Sequence, residues 1–185
     1  MRQHIVRLHQ HLRRQPLWFV VVSIAAASSI SLIGGIGLEV TAERLLPLIP
    51  LVIAMPALNT MVGDYATIIA AHAGDPKERP RSRRELIRAI SISVSINILG
   101  VFALSTILGW RRGYSFTSIF LIKFAFFIIA TVIGVVTFMF TITYFLDKIF
   151  ERRSLNPDDL LIPIVTTVSD ILMLGSIAAA AWWLF

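Results

Sequence analysis

Two aspartates, Asp64 and Asp170, stand deep inside apolar stretches of this 185-residue chain. Asp64 is about 8 residues from the end of one stretch and Asp170 about 12 residues into another; at ~1.5 Å per helical residue they lie ~12 and ~18 Å from a polar boundary. A charged side chain near the centre of a bilayer costs at least ~2.5 kcal/mol even on the lenient insertion scale, so each must face a partner or water rather than lipid. No arginine lies at comparable depth inside a stretch to neutralise them. Lys123 is within two turns of the start of its stretch, where its long stem carries the ammonium to the interface. A bound cation is the natural counter-charge.

The residues around Asp170 supply further oxygen. Asn156-Pro157-Asp158-Asp159 opens the last stretch, and the spacing Asp159, Thr166, Asp170 keeps all three on one helical face. Oxygen ligands, with no cysteine in the chain, favour hard cations such as magnesium, calcium or manganese over zinc or copper. Two plainer roles stay open at this point: Asp170 as a protonated acid bonding a neighbouring helix, and Asp158 and Asp159 as helix N-terminal stabilisers.

The elements that must position these groups follow from composition. With 56% hydrophobic and 15% charged residues, the chain is too apolar for a soluble surface. Five apolar stretches, roughly 17 to 38, 45 to 72, 86 to 110, 116 to 146 and 158 to 184, are each long enough to span ~30 Å of hydrocarbon as a helix. The predicted fold is an all-α integral membrane protein of five transmembrane helices, with a transmembrane domain over 17–185. Residues 1–16 place Ile5, Leu8 and Leu12 at helical spacing among Arg and His, which predicts an amphipathic helix on the cytoplasmic membrane surface. The first stretch is too long for a signal peptide and reads as a retained span.

The net charge of +6 does not point to nucleic acid. Thirteen Lys and Arg fall before span one, between spans two and three, and between spans four and five, against Arg44, Arg111 and Arg112 on the other side. The positive-inside rule then puts the N-terminus in the cytoplasm and the C-terminus outside a cell membrane, and so strong a bias makes any homodimer parallel. The basic connector from Gly74 to Arg84 lies against anionic lipid headgroups.

Span two is irregular, with Pro47, Pro50 and Pro56 followed by Asn59, Gly63 and Asp64. Proline removes a backbone donor, and freed carbonyls at membrane depth are tolerated where they are buried in protein or line a watery cavity, so a broken helix beside an ion path is predicted. Span three carries Ser93, Asn97 and Gly100 on one stripe, and span four carries Gly134, Thr137, Thr141 and Tyr144 on another; both seams are predicted to face protein. Span one carries several serines and a Gly34-Gly35-x-Gly37 end, which read as close helix packing.

The run Asn156-Pro157-Asp158-Asp159-Leu160-Leu161-Ile162-Pro163-Ile164-Val165-Thr166-Thr167-Val168-Ser169-Asp170 resembles the last-helix motif of MgtE-type magnesium transporters and their eukaryotic solute-carrier relatives. The span-two run, with Pro50, Asn59, Gly63, Asp64 and Thr67, is similar to that family's second helix, a looser match. The resemblance covers nearly the whole chain and implies a parallel homodimer whose second and fifth helices line a magnesium pore, with Asp170 as the central ligand. Asn59 and Asp64, with Thr166, Asp158 and Asp159, complete the candidate metal set. Two departures stand out: Asn156 occupies a position that is usually acidic in bacterial members, and only about 16 residues precede span one, where bacterial members carry regulatory domains, so gating is expected to differ or be absent.

The expected function is passage of a divalent cation, Mg²⁺ foremost, as the transported ion. Proton-coupled exchange through Asp170 or Asp64 is one rival and a non-transporting membrane scaffold another. Enzyme chemistry is not expected, because no Ser/His/Asp set, H-E-x-x-H or nucleotide motif is present.

Overall fold

A computed structural model of the chain describes residues 17–73, 80–152 and 157–185, apart from the side chains at 17–20, 23, 33, 34, 37, 80–82, 151, 152 and 157–159. The predicted surface helix at 1–16, most of the basic connector, Asn156 and the side chains of Asp158 and Asp159 lie outside the described residues. Five helices follow in order: α1 Leu17–Leu45, α2 Ile49–Ala73, α3 Pro80–Arg111, α4 Ser118–Arg152 and α5 Pro157–Trp183. In hydrocarbon every backbone polar group must be bonded within the chain, which a helix achieves alone. α2, α4, α5 and the α3 segment from Arg83 are long and apolar enough to cross a membrane.

Three helices outrun the apolar stretches that announced them, α3 by starting at Pro80 rather than 86. α1 continues past residue 38 to Leu45, adding turns that carry Glu39, Glu43 and Arg44, and α4 continues past 146 to Arg152. Hydropathy marks where lipid ends, whereas a helix ends where its hydrogen bonding is stopped. Pro47, with no N–H to give, stops α1 after Leu46 N–H bonds the Ala42 carbonyl at 2.9 Å. Gly113, at φ 82°, stops α3, and the Tyr114 N–H bonds back to the Gly109 carbonyl at 3.0 Å. Thr117 then caps α4 by accepting the Phe120 N–H at 3.2 Å.

α5 is the hub: it packs along α1, α2 and α4, while α2 also packs on α3 and α4, and α1 barely touches α2. The core between them is mainly apolar. Leu51, Leu58, Val62 and Ile69 of α2 meet Phe124, Ile128, Val132 and Met139 of α4 and Leu161, Val165, Met173 and Ile177 of α5, all fully buried. These residues recur four, seven or eight positions apart, close to whole numbers of turns that keep one helical face toward its neighbours. α1 turns the stripe Ala27, Ser31, Leu38, Thr41 and Leu45 inward and leaves Leu32, Ile36 and Val40 exposed.

α2 is not broken. It runs unbroken through Pro56, with Pro50 buried in its first turn, so the predicted interruption is corrected to a continuous helix. Pro56 still cannot donate to the Val52 carbonyl four residues earlier, but packing on three neighbouring helices carries the chain through that gap.

The polar seams divide. On α3, the Asn97 amide donates to the Tyr65 hydroxyl at 2.7 Å, and that hydroxyl shares a 2.8 Å hydrogen bond with Ser93, so two of the three seam residues face α2 as predicted. A side chain at Gly100 would meet open space. On α4 the prediction holds only for Tyr144, half-buried with the Arg83 guanidinium over its ring; Gly134, Thr137 and Thr141 lie on the exposed face of the single chain, and Thr141 donates to the Thr137 carbonyl at 3.1 Å. Val132, Val135, Val136 and Met139 take the inward face instead, and Thr141, bonded to its own backbone, carries no unmet donor outward.

Contacts at the helix termini establish the alternation of directions. The Arg44 guanidinium lies 3.8 Å over the Trp182 ring, and the Lys123 ammonium donates to the Leu184 carbonyl at 2.7 Å, which puts the ends of α1 and α5 beside the start of α4. Elsewhere Arg83, at the start of α3, lies 4.3 Å over the Tyr144 ring near the end of α4.

Phe124→Ala is expected to lower stability by about 3–5 kcal/mol through the cavity left in this core. Tyr65→Phe, which removes the hydroxyl joining α2 to α3, is expected to cost about 0.5–1.5 kcal/mol. Reversible unfolding in mixed micelles measures both, and equal costs for the two would contradict the assignment of core and tie.

Candidate metal site

Asp170 sits midway along α5, 13 residues from either end of a helix spanning Pro157–Trp183. Its half-buried carboxylate draws in two other helices at similar depth. The Asn59 Nδ2 group, from α2, donates to Oδ1 at 3.1 Å. The Ser31 hydroxyl, from α1, donates to Oδ2 at 3.2 Å. An ionised carboxylate only accepts, so the asparagine must turn its NH₂ toward it and its own Oδ1 away. That Oδ1 is buried without a hydrogen-bond partner among the described residues. Such an orphan acceptor costs about 1–3 kcal/mol unless a donor or a cation meets it.

Each Asp170 oxygen accepts one neutral hydrogen bond and keeps lone pairs for another partner. Thr166, one turn earlier on the same face, gives its proton to the Ile162 and Pro163 carbonyls at 2.9 and 3.1 Å, which leaves its oxygen lone pairs unspent. The ammonium of Lys123 is engaged at Leu184, at the end of α5. The centre of the bundle therefore combines a carboxylate with neutral oxygens, the ligand type that hard cations take. Among the described residues no three His, Cys, Asp or Glu gather to hold a metal within one chain.

The predicted ligands do not all meet. Asp170 and Asn59 are brought together, and Thr166 lies beside Asp170. Asp64 is five residues beyond Asn59, turned onto the exposed face of α2 with Thr60, and it has no hydrogen bond or ion pair among the described residues. Asp158 and Asp159 lie on the first turn of α5, with Asp159 eleven residues before Asp170 and therefore about 16 Å away along the helix.

Ser31 was missed as a site residue, since its sequence signal is only that of a small packing residue. The available hint is positional: it falls at the midpoint of α1 on the stripe facing α5, and a hydroxyl there needs an acceptor. Nothing in the chain order says that the acceptor lies 139 residues away.

Comparison with known families places the site in context. Residues 49–180, from the start of α2 almost to the end of α5, match the model of the MgtE family, described as a divalent cation transporter. A search of curated proteins finds no match. A search of solved structures likewise finds none. The matched segment covers most of the chain and includes Asn59, Asp64, Thr166 and Asp170. This multi-pass membrane protein therefore belongs to the MgtE family of divalent cation transporters, not to a family of enzymes.

Proposed function

We propose that the chain conducts divalent cations, Mg²⁺ foremost, along a path lined by α2 and α5 of a parallel homodimer. All five helices of the 17–185 unit would cross the membrane, with the N-terminus cytoplasmic and the C-terminus outside. The observation that carries this reading is the Asp170 carboxylate, central along its helix, surrounded by oxygen atoms with unspent lone pairs.

The exposed face of α2 supports the dimer. Ala57, Thr60, Gly63, Asp64, Thr67 and Ala71 form a stripe of small and polar residues, and Thr67 donates to the Gly63 carbonyl at 3.0 Å. Small residues let helices approach closely, and Asp64 on this stripe is too costly for lipid. A second copy related by a two-fold axis along the membrane normal would bring two such stripes together, giving Asp64 a watery lumen or a shared cation. Asp158 and Asp159 would add negative charge near the cytoplasmic mouth. The exposed Arg83, Arg84, Arg88 and Lys148 would face anionic headgroups on that side.

Energetically, a cytoplasmic-negative potential draws a divalent ion inward by about 4.6 kcal/mol per 100 mV, so the path needs no coupled ion. Rings of carboxylates from two subunits favour divalent over monovalent cations and exclude anions.

Two measurements test this. In proteoliposomes under an inside-negative potential, Mg²⁺ entry should be lost, falling at least about tenfold, in Asp170→Asn. Flux requiring a pH gradient would instead favour proton-coupled exchange, and no flux from the unmodified protein would favour a scaffold. Since the chain has no native cysteine, Thr60→Cys should crosslink into a covalent dimer on oxidation in membranes, while a cysteine at exposed Ile122 of α4 should not. Equal crosslinking at both positions would sink the α2 interface.

A further inference from the structure

We propose that Ser31, on α1, is a positioning residue for the Asp170 carboxylate and thereby sets how tightly the transported cation is held. The inference rests on the reading that Asp170 meets the ion, and it adds a contribution from a helix outside the α2 and α5 pair.

The first support is the choice Ser31 makes among acceptors. Hydroxyls inside helices usually have a carbonyl four residues back within reach, and this chain uses that option repeatedly: Ser29 donates to Ala25, Ser91 to Ile87, Ser95 to Ser91 and Ser176 to Leu172, all at 2.7–2.8 Å. Ser31 instead donates across to α5, to Oδ2 of Asp170 at 3.2 Å.

The second support is what two donors do together. The terminal torsion of an aspartate is broad, so a carboxylate held at one oxygen still swings. Asn59 holds Oδ1 and Ser31 holds Oδ2, from two different helices, which defines the plane of the group. Both donors are neutral, so they orient the carboxylate and leave its charge available to a cation, where an arginine or lysine would cancel it.

The third support is that Ser31 is itself well placed. α1 packs along α5 through Ala27, Leu38, Thr41 and Leu45, and its far end is pinned by Arg44 over Trp182. α1 scarcely touches α2, so the contact to Asp170 is how α1 enters the site.

The test compares unmodified protein, Ser31→Ala, Ser31→Thr and Asp170→Asn as full chains in proteoliposomes, reading Mg²⁺ entry against Mg²⁺ concentration. Ser31→Ala should raise the half-saturating concentration by roughly three- to tenfold, with maximal flux changed less than about twofold, and Ser31→Thr, which keeps the hydroxyl, should stay within about twofold of the unmodified protein in both. If the alanine variant does not fold, Ser31→Cys, close in size and a weaker donor, should show a smaller rise in the same direction. An unchanged half-saturating concentration in Ser31→Ala overturns the proposal, and so does a threonine variant as impaired as the alanine one, which would mean that packing alone matters. If Asp170→Asn keeps full flux, the reading of Asp170 itself fails. If Asp170→Asn loses flux while Ser31→Ala behaves as unmodified protein, only the positioning role fails.

Discussion

The constraint on which the structure turns is the cost of a carboxylate halfway along a helix made for lipid. Asp170 cannot face hydrocarbon without a penalty of several kcal/mol, and α5 responds by lying against three other helices. Two of those, α1 and α2, bring a donor to the same carboxylate, so the charge that makes α5 expensive to insert also fixes how α1 and α2 are set against it. What remains unsatisfied, the Asn59 carbonyl oxygen and the spare lone pairs of Asp170 and Thr166, is acceptor capacity of the kind a divalent ion seeks.

The rest of the bundle keeps this centre in place by means that need no charge. Buried leucine, valine, isoleucine, methionine and phenylalanine interlock α2, α4 and α5, and aromatic contacts from Tyr114 and Phe116 through Phe120 to Phe124 and Phe185 pack the end of the bundle where α4 begins. Tyr65, Ser93 and Asn97 join α3 to α2 by hydrogen bonds instead. The division is physically sensible: lipid gives no hydrophobic reason for helices to associate, so shape fit and interhelical hydrogen bonds must do it. Most other helical hydroxyls are quenched on their own backbone, which removes them as competitors for the carboxylate.

Much of this was legible in the chain itself. Apolar length announced helices, and a lone carboxylate inside such a length announced a point where other helices must bring polar partners, because both follow from the same fact that the bilayer cannot solvate polar groups. The positions of Asp170 and Thr166 on one face followed from the helical repeat. The matched family covers the stretch, residues 49–180, that holds those residues. Less was legible where a local pattern had two physically acceptable outcomes. Thr141 satisfies itself inside its own helix, so its place in the spacing could not say whether it faces protein or the exterior. Pro56 removes one hydrogen bond, and whether a helix breaks there depends on the packing of its neighbours.

The sequence by itself determined what must be solved: helices long enough to cross a membrane, a carboxylate too deep to ignore, and oxygen in place of sulfur around it. These depend on residue type and spacing along one strand of chain, where the physics is local. Only the tertiary structure decided which groups solve it, selecting Ser31 and Asn59 for Asp170 and leaving Asp64 on an exposed face. Partners 111 and 139 residues distant meet only when three helices settle at one depth and rotation, and no local propensity encodes that alignment.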